Sequence, residues 1–176
     1  MATSSLSPSA LLITGSVGAG KTSVAELVGE LLAEAEVPHA VIDLDWLRNT
    51  WPSPPGDRFN LAMVLRNLGD VARNFLDAGA VRLVLAGVVE THADLDRYRA
   101  TIGVPLAVCR LRVPLPVLHA RLNRRHDDDN SLRWHLDRSG ELDAILEAVG
   151  LEDFSIEASG LTAHEVAEAV IAGSGW

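Results

Sequence analysis

The segment Gly15-Ser16-Val17-Gly18-Ala19-Gly20-Lys21-Thr22 has the spacing G-x-x-x-x-G-K-[ST] of a loop that wraps a polyphosphate. Glycines at these positions let backbone N–H groups turn inward, and a helix starting at the end of the loop adds its partial positive charge. Lys21 is placed to reach the β and γ phosphates of ATP and the Thr22 hydroxyl to serve Mg²⁺, with Ser23 in the same stretch. Lys21 is also the only lysine among 176 residues, every other long cationic side chain being arginine. A compact ammonium suits a crowded phosphate site, whereas a planar guanidinium is larger and needs a different loop geometry. The bland alternative is a glycine-rich turn that caps a helix, with Lys21 in solvent.

A second group is Asp43-Leu44-Asp45, followed by Trp46-Leu47-Arg48. In an extended segment residues two apart point the same way, so both carboxylates are expected to project from the carboxyl edge of a sheet, where open α/β sheets bind ligands. One carboxylate there can orient or deprotonate an attacking hydroxyl while its neighbour holds a water on the metal. The alternative is that both simply cap the following turn. Glu90, after the third apolar run, either holds substrate or a metal-bound water, or sits in the first turn of the next helix.

These residues need a scaffold, and the chain alternates short apolar runs with amphipathic stretches. Strands are expected at 10–14, 39–43, 81–87, 105–111 and 154–158. The first is followed by the glycine loop and a helix carrying Val24, Leu27, Val28, Leu31 and Leu32. Residues 44–60, rich in proline and with Gly56, read as a loop with aromatic side chains. Asn60 is expected to cap a helix with Leu61, Val64, Leu65, Leu68, Val71, Ala72, Phe75 and Leu76 on one face, stopped by Gly79. Thr91 with Asp94, and Thr162 with Glu165, have capping-box spacing. Strands joined by crossover helices make a three-layer α/β fold with a five-stranded parallel sheet.

Bulk properties narrow the function. Length fits a single domain over 1–176, and no apolar run spans a membrane. The first residues lack a basic start, so a signal peptide is not expected and the cytoplasm is. A net charge of −9 argues against a general nucleic-acid surface. Cys109, the only cysteine, reads as a buried strand thiol without a redox role. The sequence allows a homodimer but does not call for one.

The glycine loop and the D-x-D strand end resemble the small P-loop kinases of the shikimate kinase, gluconate kinase and adenylylsulfate kinase group, and chloramphenicol phosphotransferase. Element order is similar over nearly the whole chain; only these two motifs match in letters. The resemblance implies a P-loop NTPase sheet of order 2-3-1-4-5, ATP and Mg²⁺ as cofactors, Asp43 near the metal and Asp45 on the acceptor hydroxyl. "DLDWLR" is similar to the D-G-D-x-x-R of adenylylsulfate kinases, with Arg48 at the arginine position and Leu44 departing from glycine.

By the same resemblance, 124–139 is a lid that closes over the site and excludes water. Arg121 or Arg124 would stack on adenine, and Arg125 and Arg133 would meet the transferring phosphate. Trp46, Trp51 and Phe59 fall in the acceptor-binding region at about 44–60, where aromatic walls suit an organic acceptor. Arg48, Arg58 and Arg66 could pair with an anionic group on that acceptor. The third strand ends "LAGVVE", without the Walker B aspartate and without the D-G-[FY]-P-R of nucleoside monophosphate kinases. The expected activity is transfer of the γ-phosphoryl group of ATP to a hydroxyl of a small organic molecule. The alternatives are a nucleoside or nucleotide kinase, or an ATP-binding regulatory module without catalysis.

Overall fold

The computed structural model describes residues 6–57, 59–125 and 129–176, excepting the side chains of Arg125 and Asp129. Five strands, β1 (Ser9–Gly15), β2 (His39–Asp43), β3 (Arg82–Ala86), β4 (Leu106–Arg112) and β5 (Phe154–Glu157), form one sheet. Its order is β2-β3-β1-β4-β5 and every pairing is parallel. Among the described residues seven helices connect or follow the strands: α1 (Lys21–Glu34), α2 (Leu44–Leu47), α3 (Leu61–Asp77), α4 (His92–Ile102), α5 (Leu115–Arg125), α6 (Asp129–Val149) and α7 (Ala163–Ser174).

Alternation along the strands decides which helices cover which face. Leu11 and Ile13 of β1, with Val84 and Cys109, pack against Val24, Val28 and Val170 of α1 and α7. Ala10 and Leu12, with Leu83, Leu85 and Val108, pack against Val64, Leu68, Leu95 and Tyr98 of α3 and α4. Successive side chains of a strand point to opposite faces, so a sheet buried on both must be apolar at nearly every position. Cys109 is fully buried, and burial pushes its thiol up to about 12, which keeps it protonated.

Topology then opens a crevice. From β1 the chain passes to β2 on one side, and from β3 it crosses β1 to β4 on the other. Loops leaving β1 and β3 at their carboxyl ends therefore diverge, the place where ligands lodge in such sheets.

Three local expectations are corrected. Residues 44–47 form the short helix α2 rather than loop, so Asp45 lies in a helical turn and not in line with Asp43 on the strand. Asn60 precedes α3 in the left-handed region at φ 53 and its side chain caps nothing. Asp57 reaches forward instead, accepting from Leu61 N at 2.7 Å and Ala62 N at 3.0 Å, while Asn60 Nδ2 donates to the Arg48 carbonyl. Phe75 is 39% exposed rather than on the buried face. Of the stretch expected as a lid, 124–139, the last eleven residues lie in α6, which continues ten residues past it.

The carboxyl-terminal half of α6 is fixed by charge. Arg110 of β4, 2% exposed, meets Asp143 at 3.0 Å and Glu147 at 2.9 Å, and Arg112 shares Glu147 and Glu152. A guanidinium can be buried on this strand because three carboxylates surround it.

Candidate active site

The glycine loop runs from the end of β1 into α1. A Cβ on Gly15 would stand 2.8 Å from the Leu111 carbonyl oxygen, so the loop lies against β4 only because that atom is missing. Gly20, at φ 95, turns the chain into α1 in a conformation side chains rarely adopt. Lys21 Nζ folds back over the loop, donating to the carbonyls of Gly15 at 3.1 Å and Ser16 at 3.0 Å.

The start of α1 differs from those of α2, α3, α4 and α7. At α2, α3, α4 and α7 a carboxylate or hydroxyl accepts from the first-turn amides: Asp43, Asp57, Thr91 and Thr162 respectively. The start of α1 has no side-chain cap and no acid in its first turn. Its amides and its positive dipole end are directed at the loop cavity.

Across from the loop, Asp43 ends β2. Thr22 Oγ1 donates to Asp43 Oδ2 at 2.9 Å, and Asp45 N donates to Asp43 Oδ1 at 2.8 Å. A hydroxyl and a carboxylate side by side at the phosphate loop are hard oxygen donors of the kind that hold Mg²⁺ with phosphate oxygens and waters, so the residues fit that ion. Among the described residues no cluster of three His, Cys, Asp or Glu forms an all-protein metal cage. Asp45 lies one turn into α2, its carboxylate 3.2 Å from Arg48 Nε and largely exposed.

Loop and carboxylates border a cleft of about 1270 Å³ that continues away from the phosphate end. Its far walls are Trp46, Phe59, Val89, Tyr98 and, from α6, Trp134 and Leu142. Arg138 of α6 enters the cleft 7% exposed, with its guanidinium 5.1 Å from the centre of the Phe59 ring. It pairs with Glu90 from the loop after β3 and donates to Glu141 at 2.8 Å. The next residue on α6 ties this wall to the phosphate loop, because Ser16 Oγ donates to the Ser139 carbonyl at 2.7 Å with both residues buried. Tyr98 is 1% exposed, and burial raises its hydroxyl to about 12.

A smaller hollow of about 180 Å³ opens behind the loop, between Arg121 and the segment Ala158–Ala163. Arg121 Nη1 also reaches the Gly18 and Ala19 carbonyls at 3.4 Å. A flat base could lie there, between a guanidinium and apolar atoms.

The structure thus brings Lys21, Thr22, Asp43, Asp45, Trp46, Arg48, Glu90 and Arg121 to one cleft. It does not bring four others. Trp51 is 92% exposed in the loop after α2, and Arg66, Arg124 and Arg133 are exposed and line neither the cleft nor the hollow. Arg58 and the Arg125 side chain lie outside the described residues. The arginine that α6 does turn inward is Arg138. Helical spacing carries the signal, since 134, 138 and 142 fall on one stripe and 133 falls beside it. Tyr98 also enters the cleft unannounced: position 98 lies on the apolar stripe of α4 with Leu95 and Ile102, and nothing in its neighbours marks it as facing a ligand.

Comparisons with known proteins agree with this geometry. The sequence model of the family described as adenylylsulphate kinase matches residues 7–126. The adenylyl-sulfate kinase of Lactiplantibacillus plantarum is 32% identical over 129 residues, which cover 65% of this chain and 59% of that protein. The chain therefore spans about three-fifths of the length of this curated relative. The Mycobacterium tuberculosis APS kinase in complex with AMPPNP and APS has a TM-score of 0.60 at 21% identity, covering 97% of this chain and 99% of that one. The Deinococcus radiodurans tunicamycin resistance protein has a TM-score of 0.63 at 21% identity, covering 96% of each. These likenesses to solved structures are likenesses of fold.

Proposed function

The chain belongs to the adenylylsulphate kinase family, and from that premise we propose that it transfers the γ-phosphoryl group of ATP to a hydroxyl of a small organic molecule. The observation that carries the reading is the Thr22–Asp43 hydrogen bond, which joins the uncapped start of α1 to the strand end that presents Asp45.

In this reading the loop amides and Lys21 bind the β and γ phosphates, and Arg121 with the Ala158–Ala163 segment takes the adenine. Mg²⁺, held by Thr22 and Asp43, supplies neutralisation of charge on the phosphates when bound. Asp45, held by Arg48, takes the proton of the acceptor hydroxyl. The acceptor oxygen forms its bond to the γ phosphorus as the bond from that phosphorus to the β–γ bridging oxygen breaks, and the electron pair leaves with ADP. Arg138 and Glu90 shape the acceptor end, and α6 excludes water over it.

Replacement of Asp45 by Asn is expected to leave ATP affinity within about twofold while turnover drops roughly 10²–10⁴-fold, the range of general-base catalysis. Turnover equal to that of the parent protein would remove Asp45 from the reaction. Mass spectrometry of a metabolite mixture incubated with protein and ATP identifies the acceptor as the compound gaining one phosphoryl mass. ATP binding without any such product, together with a stable protein partner, would favour a regulatory module instead.

A further inference from the structure

The acceptor half of the cleft carries more negative charge than positive. Asp45, Asp57, Glu90 and Asp94 line it, against Arg48 and Arg138 among the described residues. Neither guanidinium is available to an anion at no cost. Arg48 holds Asp45, and Arg138 is divided between Glu90 and Glu141. Asp94 has its own cation in Arg97, which stands outside the lining at 3.3 Å. Among the described residues, adding these outer partners leaves five carboxylates facing three guanidiniums. An anionic acceptor would have to draw Arg48 from the largely exposed Asp45 or Arg138 from Glu90, and the second exchange leaves a partly buried carboxylate unpaired, which selects against it.

What the walls do offer is apolar and flat. Trp46 is 76% exposed and Trp134 48% exposed, both at the cleft, and the Phe59 ring lies against the Arg138 guanidinium. Deeper in, the Tyr98 hydroxyl oxygen is buried and has no hydrogen-bond partner among the described residues. A buried hydroxyl without a partner is costly, and this one belongs to a residue of the cleft wall. Its raised pKa keeps it protonated, so it has a hydrogen to donate. The cap that carries Trp134, Arg138 and Leu142 begins at Asp129, beyond the residues matched by the family model.

We infer that the acceptor is an alcohol without negative charge, uncharged or cationic, with a flat apolar body, and that the Tyr98 hydroxyl donates the hydrogen bond that selects it. This rests on the phosphotransferase reading and narrows it away from a sulfated or phosphorylated acceptor.

The test uses the full chain saturated with a non-hydrolysable ATP analogue and three probes that share a phenyl ring and a hydroxyl: phenylalaninol, 3-phenylpropane-1,2-diol and 3-phenyllactate. Binding is read by calorimetry and by tryptophan fluorescence. The anion is expected to bind about tenfold or more weakly than the diol, and the amine at least as tightly as the diol. Tyr98→Phe is expected to weaken the diol about fivefold without changing affinity for the ATP analogue, which also reports that the variant is folded. Equal or tighter binding of 3-phenyllactate, or no saturable binding of any probe, overturns the inference; an unchanged diol affinity in Tyr98→Phe overturns the role of that hydroxyl. Phosphoryl transfer from ATP to adenosine 5′-phosphosulfate faster than to any uncharged or cationic alcohol overturns the inference and keeps the phosphotransferase. The expected binding order with no transfer to any alcohol does the reverse.

Discussion

The two ends of the cleft are built in different ways. In the proposed reading the phosphate end is one continuous stretch, residues 15–23, in which backbone amides and the Lys21 side chain bind the phosphates and Gly15 and Gly20 keep the loop conformation that a side chain would disfavour. The acceptor end is assembled from side chains on α2, the loop before α3, the loop after β3, α4 and α6. Backbone chemistry is the same in every protein, so a site made of it can be shared widely. A site made of side chains drawn from separate elements can change acceptor with a few substitutions while the donor stays the same.

The largest effect that tests this division is expected at Lys21. Lys21→Met should lower turnover about a thousandfold and weaken ATP, and Lys21→Arg should rescue little, because the added bulk falls where the ammonium packs between the Gly15 and Ser16 carbonyls. Steady-state kinetics and ATP titration check both. Full activity in the arginine variant would break the claim that shape, and not charge alone, sets the phosphate end.

The next effect should fall on the acceptor alone. Glu90→Gln loosens Arg138 from one of its two carboxylates, so the KM for the acceptor is expected to shift about tenfold with the KM for ATP held within about twofold. An equal change in both would mean that the two ends do not act separately.

The same division explains what could be read in advance. The phosphate loop and most element boundaries follow from contiguous patterns: a glycine spacing, five apolar runs, two capping pairs; the sheet order comes from the family resemblance. Strand β4 was expected at 105–111 and spans Leu106–Arg112; the box at Thr162 and Glu165 is complete, with each side chain bonded to the other's backbone. The acceptor end resisted because its contacts are non-local. Arg138 meets Glu90 across 48 residues, and no local pattern distinguishes it from Arg133 unless α6 is first recognised as a helix. Asp45 was expected on an extended segment, but Asp43 caps α2 and curls the chain at that point, so the two carboxylates share a cleft without sharing a strand.

A smaller effect probes the join between the two ends. Ser16→Ala removes the hydrogen bond to the Ser139 carbonyl, leaving that buried oxygen without its donor. Loss of about 1 kcal/mol, a fall of roughly 2–4 °C in melting temperature, is expected. If α6 is held to the loop mainly here, nucleotide and acceptor affinities should now respond less to one another. If coupling persists at full strength, the ion cluster around Arg110 is what seats the helix, and Arg110→Met becomes the variant that uncouples them.

The smallest expected effect is on pH, and it separates the two ends once more. Amides of Ala62 and then Leu61 hold the Asp57 carboxyl below its ordinary value of 3.8. A carboxylate with a depressed folded value contributes stability that is complete above the unfolded value and is lost as pH falls through the folded one. Asp57 caps α3 at the acceptor end, whereas the start of α1 carries no acid to protonate. Acidification below pH 3.8 should therefore loosen the acceptor wall, seen as a change in tryptophan fluorescence, before the first turn of α1 loses its exchange protection. Asp57→Asn keeps a shorter-range acceptor at the cap but removes the titration, so the fluorescence change should shift or flatten. Simultaneous loss at both ends in the parent protein would show that the cleft opens as one unit, and that the difference between its halves is chemical and not mechanical.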